Sequence, residues 1–163
     1  MTASSRTTSG SCGAIRRAAV YADTLLQLER THLLRLLAWG ATCVLLGTLL
    51  LATLAATRRR SPLLTHFGIQ TAAWGAIVLA LAAWFWRGLA LRDLAGATRL
   101  DRLVWLNVGL DAGYVFVGAA LAIVGWRLAR SHPLVGAGIA VIVQGLALAL
   151  LDLQFAGAIA RWM

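Results

Sequence analysis

Four apolar stretches constrain this chain more than any other feature: residues 36–56, 63–86, 103–126 and 133–160 carry little or no formal charge. A helix rising 1.5 Å per residue needs about twenty residues to cross roughly 30 Å of hydrocarbon, and each stretch meets that length. Backbone groups in lipid must be satisfied within the segment, and the alternating pattern of a barrel strand is absent, so each stretch is read as a helix. The expected fold is an all-α membrane protein, a four-transmembrane-helix antiparallel bundle. Composition agrees: 60% of the 163 residues are hydrophobic, mean hydropathy is +0.78 and only 13% are charged. That is too little polar surface to solvate a compact globule.

The boundaries carry local signals. Ser61-Pro62 and His132-Pro133 place proline at a first helical position where spans two and four begin. Trp39, Trp84, Trp86, Trp105, Trp126 and Trp162 fall near the expected ends, as in an interfacial aromatic belt. Residues 1–13 form a polar stretch expected to be a disordered tail, unlike the start of a secretory signal. Residues 14–35 are charged yet show helical spacing at Tyr21, Leu25, Leu28 and His32, which predicts a surface helix or an extension of the first span. No internal repeat of the kind that marks inverted-repeat transporters is read from the sequence.

All fifteen basic residues are Arg, a bias of GC-rich bacterial genomes, and the net charge is +9. These Arg residues lie between the apolar runs and form no stripe with interleaved aromatics, so nucleic acid is not an expected partner. The N-terminal segment, residues 87–102 and the C-terminal end hold ten of them, against five in the other two loops. The positive-inside rule then predicts a bacterial inner membrane protein with both termini in the cytoplasm. Cys12 and Cys43 fall in unlike environments, a polar tail and an apolar span, and imply no disulfide framework.

Two carboxylates inside the apolar helices are the most informative residues. Asp111 and Asp152 each cost about 2.5 to 3.5 kcal/mol at a helix centre even on the lenient insertion scale, so something must compensate them. Each sits about eight residues from the same end of its span, roughly 12 Å in, and the pair is expected at one depth. Asn107, Asp111, Tyr114 and Gly118 share one stripe of span three, expected to face protein. Gly109 and Gly113 form a second, small-residue stripe expected to pack as well. The cluster of Asn107, Asp111, Tyr114, Gln144 and Asp152 reads either as a proton- or cation-handling site or as neutral or paired carboxyls that fix helix register. Arg35 is the nearest counter-ion, with Arg30 and Arg102 less well placed.

His66 and His132 begin spans two and four and offer a metal or haem site, although histidines at membrane edges are more often interfacial. Gln70 and Gln144 are expected to hydrogen-bond between helices. There is no nucleophile elbow, HExxH, CxxC or phosphate loop, so no enzymatic reaction, cofactor or metal is assigned. The partners expected are the lipid bilayer and either further copies of the chain or a larger membrane complex.

Residues 100–118 (LDRLVWLNVGLDAGYVFVG) and 136–153 (GAGIAVIVQGLALALLDL) resemble the two recurring blocks of a family of small bacterial four-helix membrane proteins known only as a domain of unknown function. The resemblance rests on Asn107, Gly109, Asp111 and Tyr114 in one block and Gln144, Gly145 and Asp152 in the other, with an echo at Trp74-Gly75. It implies a shared fold and supplies no activity.

Overall fold

The computed structural model describes residues 7–162, and they form four helices: α1 (Thr7–Ala56), α2 (Pro62–Arg87), α3 (Leu94–Arg127) and α4 (His132–Ala160). All four are long and apolar enough to cross a membrane. Residues 1–6 and the Cys12 side chain lie outside the described residues. The helix already covers Thr7–Gly13, part of the stretch expected to be a tail. It then runs unbroken through the charged segment into the first apolar run. At 1.5 Å per residue its 50 residues reach about 75 Å, so α1 projects well past the hydrocarbon on the side of the chain termini.

Capping chemistry sets the other boundaries. Ser61 Oγ accepts from the Leu64 amide at 3.4 Å, with Pro62 following at the first helical position. Asp93 Oδ1 accepts from the Gly96 amide at 2.8 Å, which starts α3 nine residues before the expected span and shortens the α2–α3 connection to residues 88–93. The two other connections turn through left-handed backbone at Arg58 (φ 52°) and Arg130 (φ 45°).

Close backbone approach builds two antiparallel hairpins, α1 with α2 and α3 with α4. A Cβ added at Gly47 would lie 2.7 Å from the Gly68 carbonyl oxygen, and one at Gly118 would lie 2.7 Å from that of Gly138. The buried residues of α3 are Ala97, Val104, Asp111, Gly118 and Gly125, a strict seven-residue series. Gly138, Gly145, Asp152 and Ile159 on α4 and Gly68, Gly75 and Ala82 on α2 keep the same period. A repeat of seven keeps one seam facing the partner helix as the pair winds left-handedly. Gly109 and Gly113 meet nothing within 4 Å, so the small-residue stripe expected to pack faces outward instead. Its spacing of four matched a contact motif, but the seam here runs on sevens.

The hairpins also share a register, a parallel correspondence that the sequence reading, which looked for inverted repeats, did not include. Gly40 approaches the Gly75 carbonyl as Gly145 approaches that of Asp111, and Gly47 faces Gly68 as Gly118 faces Gly138. Both turns hold a left-handed Arg followed by a serine N-cap, Ser61 and Ser131. The repeat is parallel rather than inverted, because both hairpins start on the same side. In this register Asp111 stands where the first hairpin has Gly40, and Asp152 where it has Ala82.

The two halves are packed unequally. Helix α4 rests against α2 and, more lightly, against α1, but α3 makes no extended backbone approach to either α1 or α2. The open side leaves a cleft.

Candidate functional site

The α2–α3 cleft encloses about 320 Å³, within the range of small-molecule sites. All four helices contribute to it. Ile77, Leu81 and Phe85 of α2 and Leu103 and Leu110 of α3 form its apolar walls. Its polar groups are Glu29 and His32 of α1, Trp74 of α2, Asn107, Asp111 and Tyr114 of α3, and Asp152 of α4.

Heptad position carries both carboxylates inward. The Gly145 register puts the Asp111 backbone beside α4 seven residues, about 10 Å, from Asp152. The two therefore sit at different depths, which corrects the expectation of one level: the Gly118–Gly138 contact fixes the hairpin register. Side chains lean toward the N-terminus of their own helix, so in this antiparallel pair Asp111 and Asp152 lean toward each other. Both are buried, at 4% and 5% exposure.

Their surroundings differ. Asp152 Oδ1 lies 3.2 Å from His32 Nε2, and the imidazole stacks on Phe155 with ring centroids 4.3 Å apart. Arg35, the expected counter-ion, instead donates to Gln154 Oε1 at 3.2 Å on the exposed face. Helix α1 turns His32 inward and Arg35 outward, so the basic partner comes from one turn earlier. Asp111 Oδ2 is buried and has no hydrogen-bond partner among the described residues. Near it in sequence, Asn107 is exposed and Tyr114 is half-buried. Tyr114 meets the Trp74 ring edge-on at 5.0 Å, and Trp74 Nε1 is a second buried polar atom without a partner.

The end of the cleft toward the termini is crossed by an ion pair. Arg92, in the α2–α3 connection, grips Glu29 with both ends of its guanidinium: Nε to Oε2 at 3.0 Å and Nη2 to Oε1 at 2.6 Å. The hydrogen bond to Glu29 raises the Arg92 pKa above its ordinary value, partly opposed by burial. Such bidentate pairing fixes orientation as well as charge.

Gln144 belongs elsewhere. It is 1% exposed, accepts from Trp39 Nε1 at 2.9 Å and donates to Cys43 Sγ at 3.2 Å, tying α4 to α1. The sequence-derived cluster thus divides into a cleft set (Asn107, Asp111, Tyr114, Asp152) and an interhelical tie (Gln144). Trp39, expected in the interfacial belt, serves that tie. His66 and His132 are both exposed, with His66 Nδ1 3.0 Å from the Pro62 carbonyl oxygen of its own helix. A hollow of about 510 Å³ between α1 and α4 presents Arg35 and Arg161.

Glu29, His32, Trp74 and Arg92 were not singled out as site residues from the sequence. A signal existed for two of them: Glu29 and His32 share one face with Leu33 and Leu36, all lining the cleft. Their charged neighbours disguised that face as membrane surface. Arg92 carried no local signal, because its pairing with Glu29 joins distant parts of the chain.

Fold and buried seam define a four-helix, multi-pass membrane protein. Residues 35–153 match the model of a family described only as "Family of unknown function (DUF6992)", and the chain belongs to that family. The match takes in the two Asp residues and the Gln144 tie but leaves Glu29 and His32 outside it. No curated protein and no solved structure matches the chain.

Proposed function

We propose that this protein is a non-enzymatic binding protein of the bacterial inner membrane, with both termini in the cytoplasm, that takes a proton or a small polar solute at Asp111 in the α2–α3 cleft. One observation carries the reading: Asp111 is buried within a membrane-spanning helix, lines the cleft, and leaves Oδ2 unpartnered. A carboxyl serving only to fix register would gain most from an internal partner, as Asp152 has in His32. Buried polar atoms are nearly always satisfied, and a bound water, ion or ligand in the cleft would satisfy Asp111 Oδ2.

The groups that bear on Asp111 come from every side of the cleft: Glu29 and His32 from α1, Asn107 and Tyr114 from α3, Asp152 from α4, and Arg92 through Glu29. Helix α2 brings Trp74 and no titratable group. The test compares thermal stability in detergent across the neutral pH range for the parent, Asp111→Asn, Asp152→Asn and the double variant. A site that exchanges a proton or cation predicts a step in the parent profile that the double variant lacks. Flat and superimposable profiles would mean that the carboxyls only hold the bundle together.

A further inference from the structure

Three features of the cleft narrow the class of ligand. The first is charge. Glu29 is matched by Arg92 and Asp152 by His32, which leaves Asp111 as the cleft carboxyl without a basic partner among the described residues. A carboxylate buried in apolar surroundings is costly unless a cation is supplied to it. The rings of Trp74 and Tyr114 border the same space and attract cations through their π faces.

The second feature is the apolar wall. Ile77, Leu81, Phe85, Leu103 and Leu110 line the cleft and are also exposed on the outer surface of the bundle, so the same side chains meet both the ligand and lipid. A cavity of about 320 Å³ is far larger than a small inorganic cation needs.

The third is the route. Helices α2 and α3 stand apart along their length, whereas the end toward the termini is crossed by the Arg92–Glu29 pair. The wide opening therefore faces the acyl chains, not the aqueous phase.

We propose that the cleft takes an amphipathic primary amine from the bilayer, which enters sideways between α2 and α3, sets its ammonium group on Asp111 and lays its alkyl chain along the α2 and α3 walls. This rests on reading the cleft as a binding site. An ammonium group brings donors for Asp111 Oδ2, and the chain replaces lipid against walls already apolar, so little polar surface is desolvated without compensation. Trp74 Nε1, a donor, favours an oxygen-bearing head instead, and the test includes that chemistry.

The full chain is reconstituted in phosphatidylcholine nanodiscs and offered decylamine, decanol or ethylamine at equal concentration, and bound adducts are counted by native mass spectrometry. The proposal expects decylamine to bind at least tenfold more than decanol or ethylamine, and Asp111→Asn to reduce its adduct at least tenfold while the thermal transition persists. Narrowing the mouth with Ile77→Trp slows uptake. If ethylamine binds as well as decylamine and still needs Asp111, the site stands and the amphipathic ligand falls. If decanol binds as well as decylamine, the requirement for a cation falls. No amine binding, together with flat pH profiles for the carboxyl variants, overturns both this inference and the binding site. Where Asp111→Asn does not fold, protection of Asp111 by decylamine against a lipid-soluble carbodiimide decides the matter in the unaltered chain, with absence of protection counting against the proposal.

Discussion

Two glycines five residues apart on α3 make opposite predictions, and substituting each by alanine tests the seam that places Asp111. At Gly118 the new Cβ would lie 2.7 Å from the Gly138 carbonyl oxygen and 2.8 Å from the Ile142 amide nitrogen. Ordinary contact begins near 3.4 Å, so α3 and α4 must separate by about 3.4 − 2.7 = 0.7 Å at a point where both partners are backbone. Overpacking of this kind costs about 1–3 kcal/mol. At Gly113 a Cβ meets nothing within 4 Å, so Gly113→Ala keeps every contact and gains the roughly 0.5–1 kcal/mol by which alanine surpasses glycine inside a helix. The two variants should therefore differ by about 1.5–4 kcal/mol, with opposite signs relative to the parent. Reversible unfolding in mixed micelles, titrated with sodium dodecyl sulfate, measures the difference. Equal losses at the two positions, or a neutral Gly118→Ala, would refute the seven-residue seam and with it the argument that burial of Asp111 follows from its register.

Further predictions concern the two polar ties. His32→Ala removes the partner of Asp152 and the stack on Phe155, and is expected to lower stability by about 2 kcal/mol or more, because a lone carboxyl is left buried. Adding Asp152→Asn should return part of that loss, and a double-mutant cycle with no coupling would show that the pair does not act as one. Gln144→Leu breaks the bonds to Trp39 and Cys43 and is expected to cost about 0.6 kcal/mol, rising toward about 1.7 if Trp39 Nε1 finds no other acceptor. Trp39→Phe in the same background should then add little from the lost hydrogen bond.

The spans and the two buried acids were legible because the bilayer imposes a length and a penalty that need no knowledge of neighbours. The Asn107–Asp111–Tyr114–Gly118 stripe located the inward face of α3, although Asn107 lies at its exposed margin. What stayed hidden was relative placement. A four-residue glycine spacing suggested packing at Gly109 and Gly113, whereas the seam follows sevens through Asp111 and Gly118. The parallel repeat was hidden because the residues that mark it, glycines and a serine cap set far apart, are matched only once the hairpins pack, and two of its matched positions carry unlike residues, Gly40 against Asp111 and Ala82 against Asp152. Partners such as His32 and Arg92 lie far along the chain from the groups they meet. Only the packing of α1 and the short α2–α3 connection brings them together.

Chemical labelling of the carboxyls within the membrane tests whether Asp111 is an unpaired acid lining a cleft that opens to the bilayer while Asp152 is paired. Dicyclohexylcarbodiimide dissolves in lipid and adds to protonated carboxyl groups, and peptide mass spectrometry after treatment of reconstituted protein reports the sites. Modification is expected at Asp111 well ahead of Asp152, with little at Asp111 from a water-soluble carbodiimide. Labelling of Asp152 in preference to Asp111, or an Asp111 that resists the lipid-soluble reagent at every pH, would contradict it.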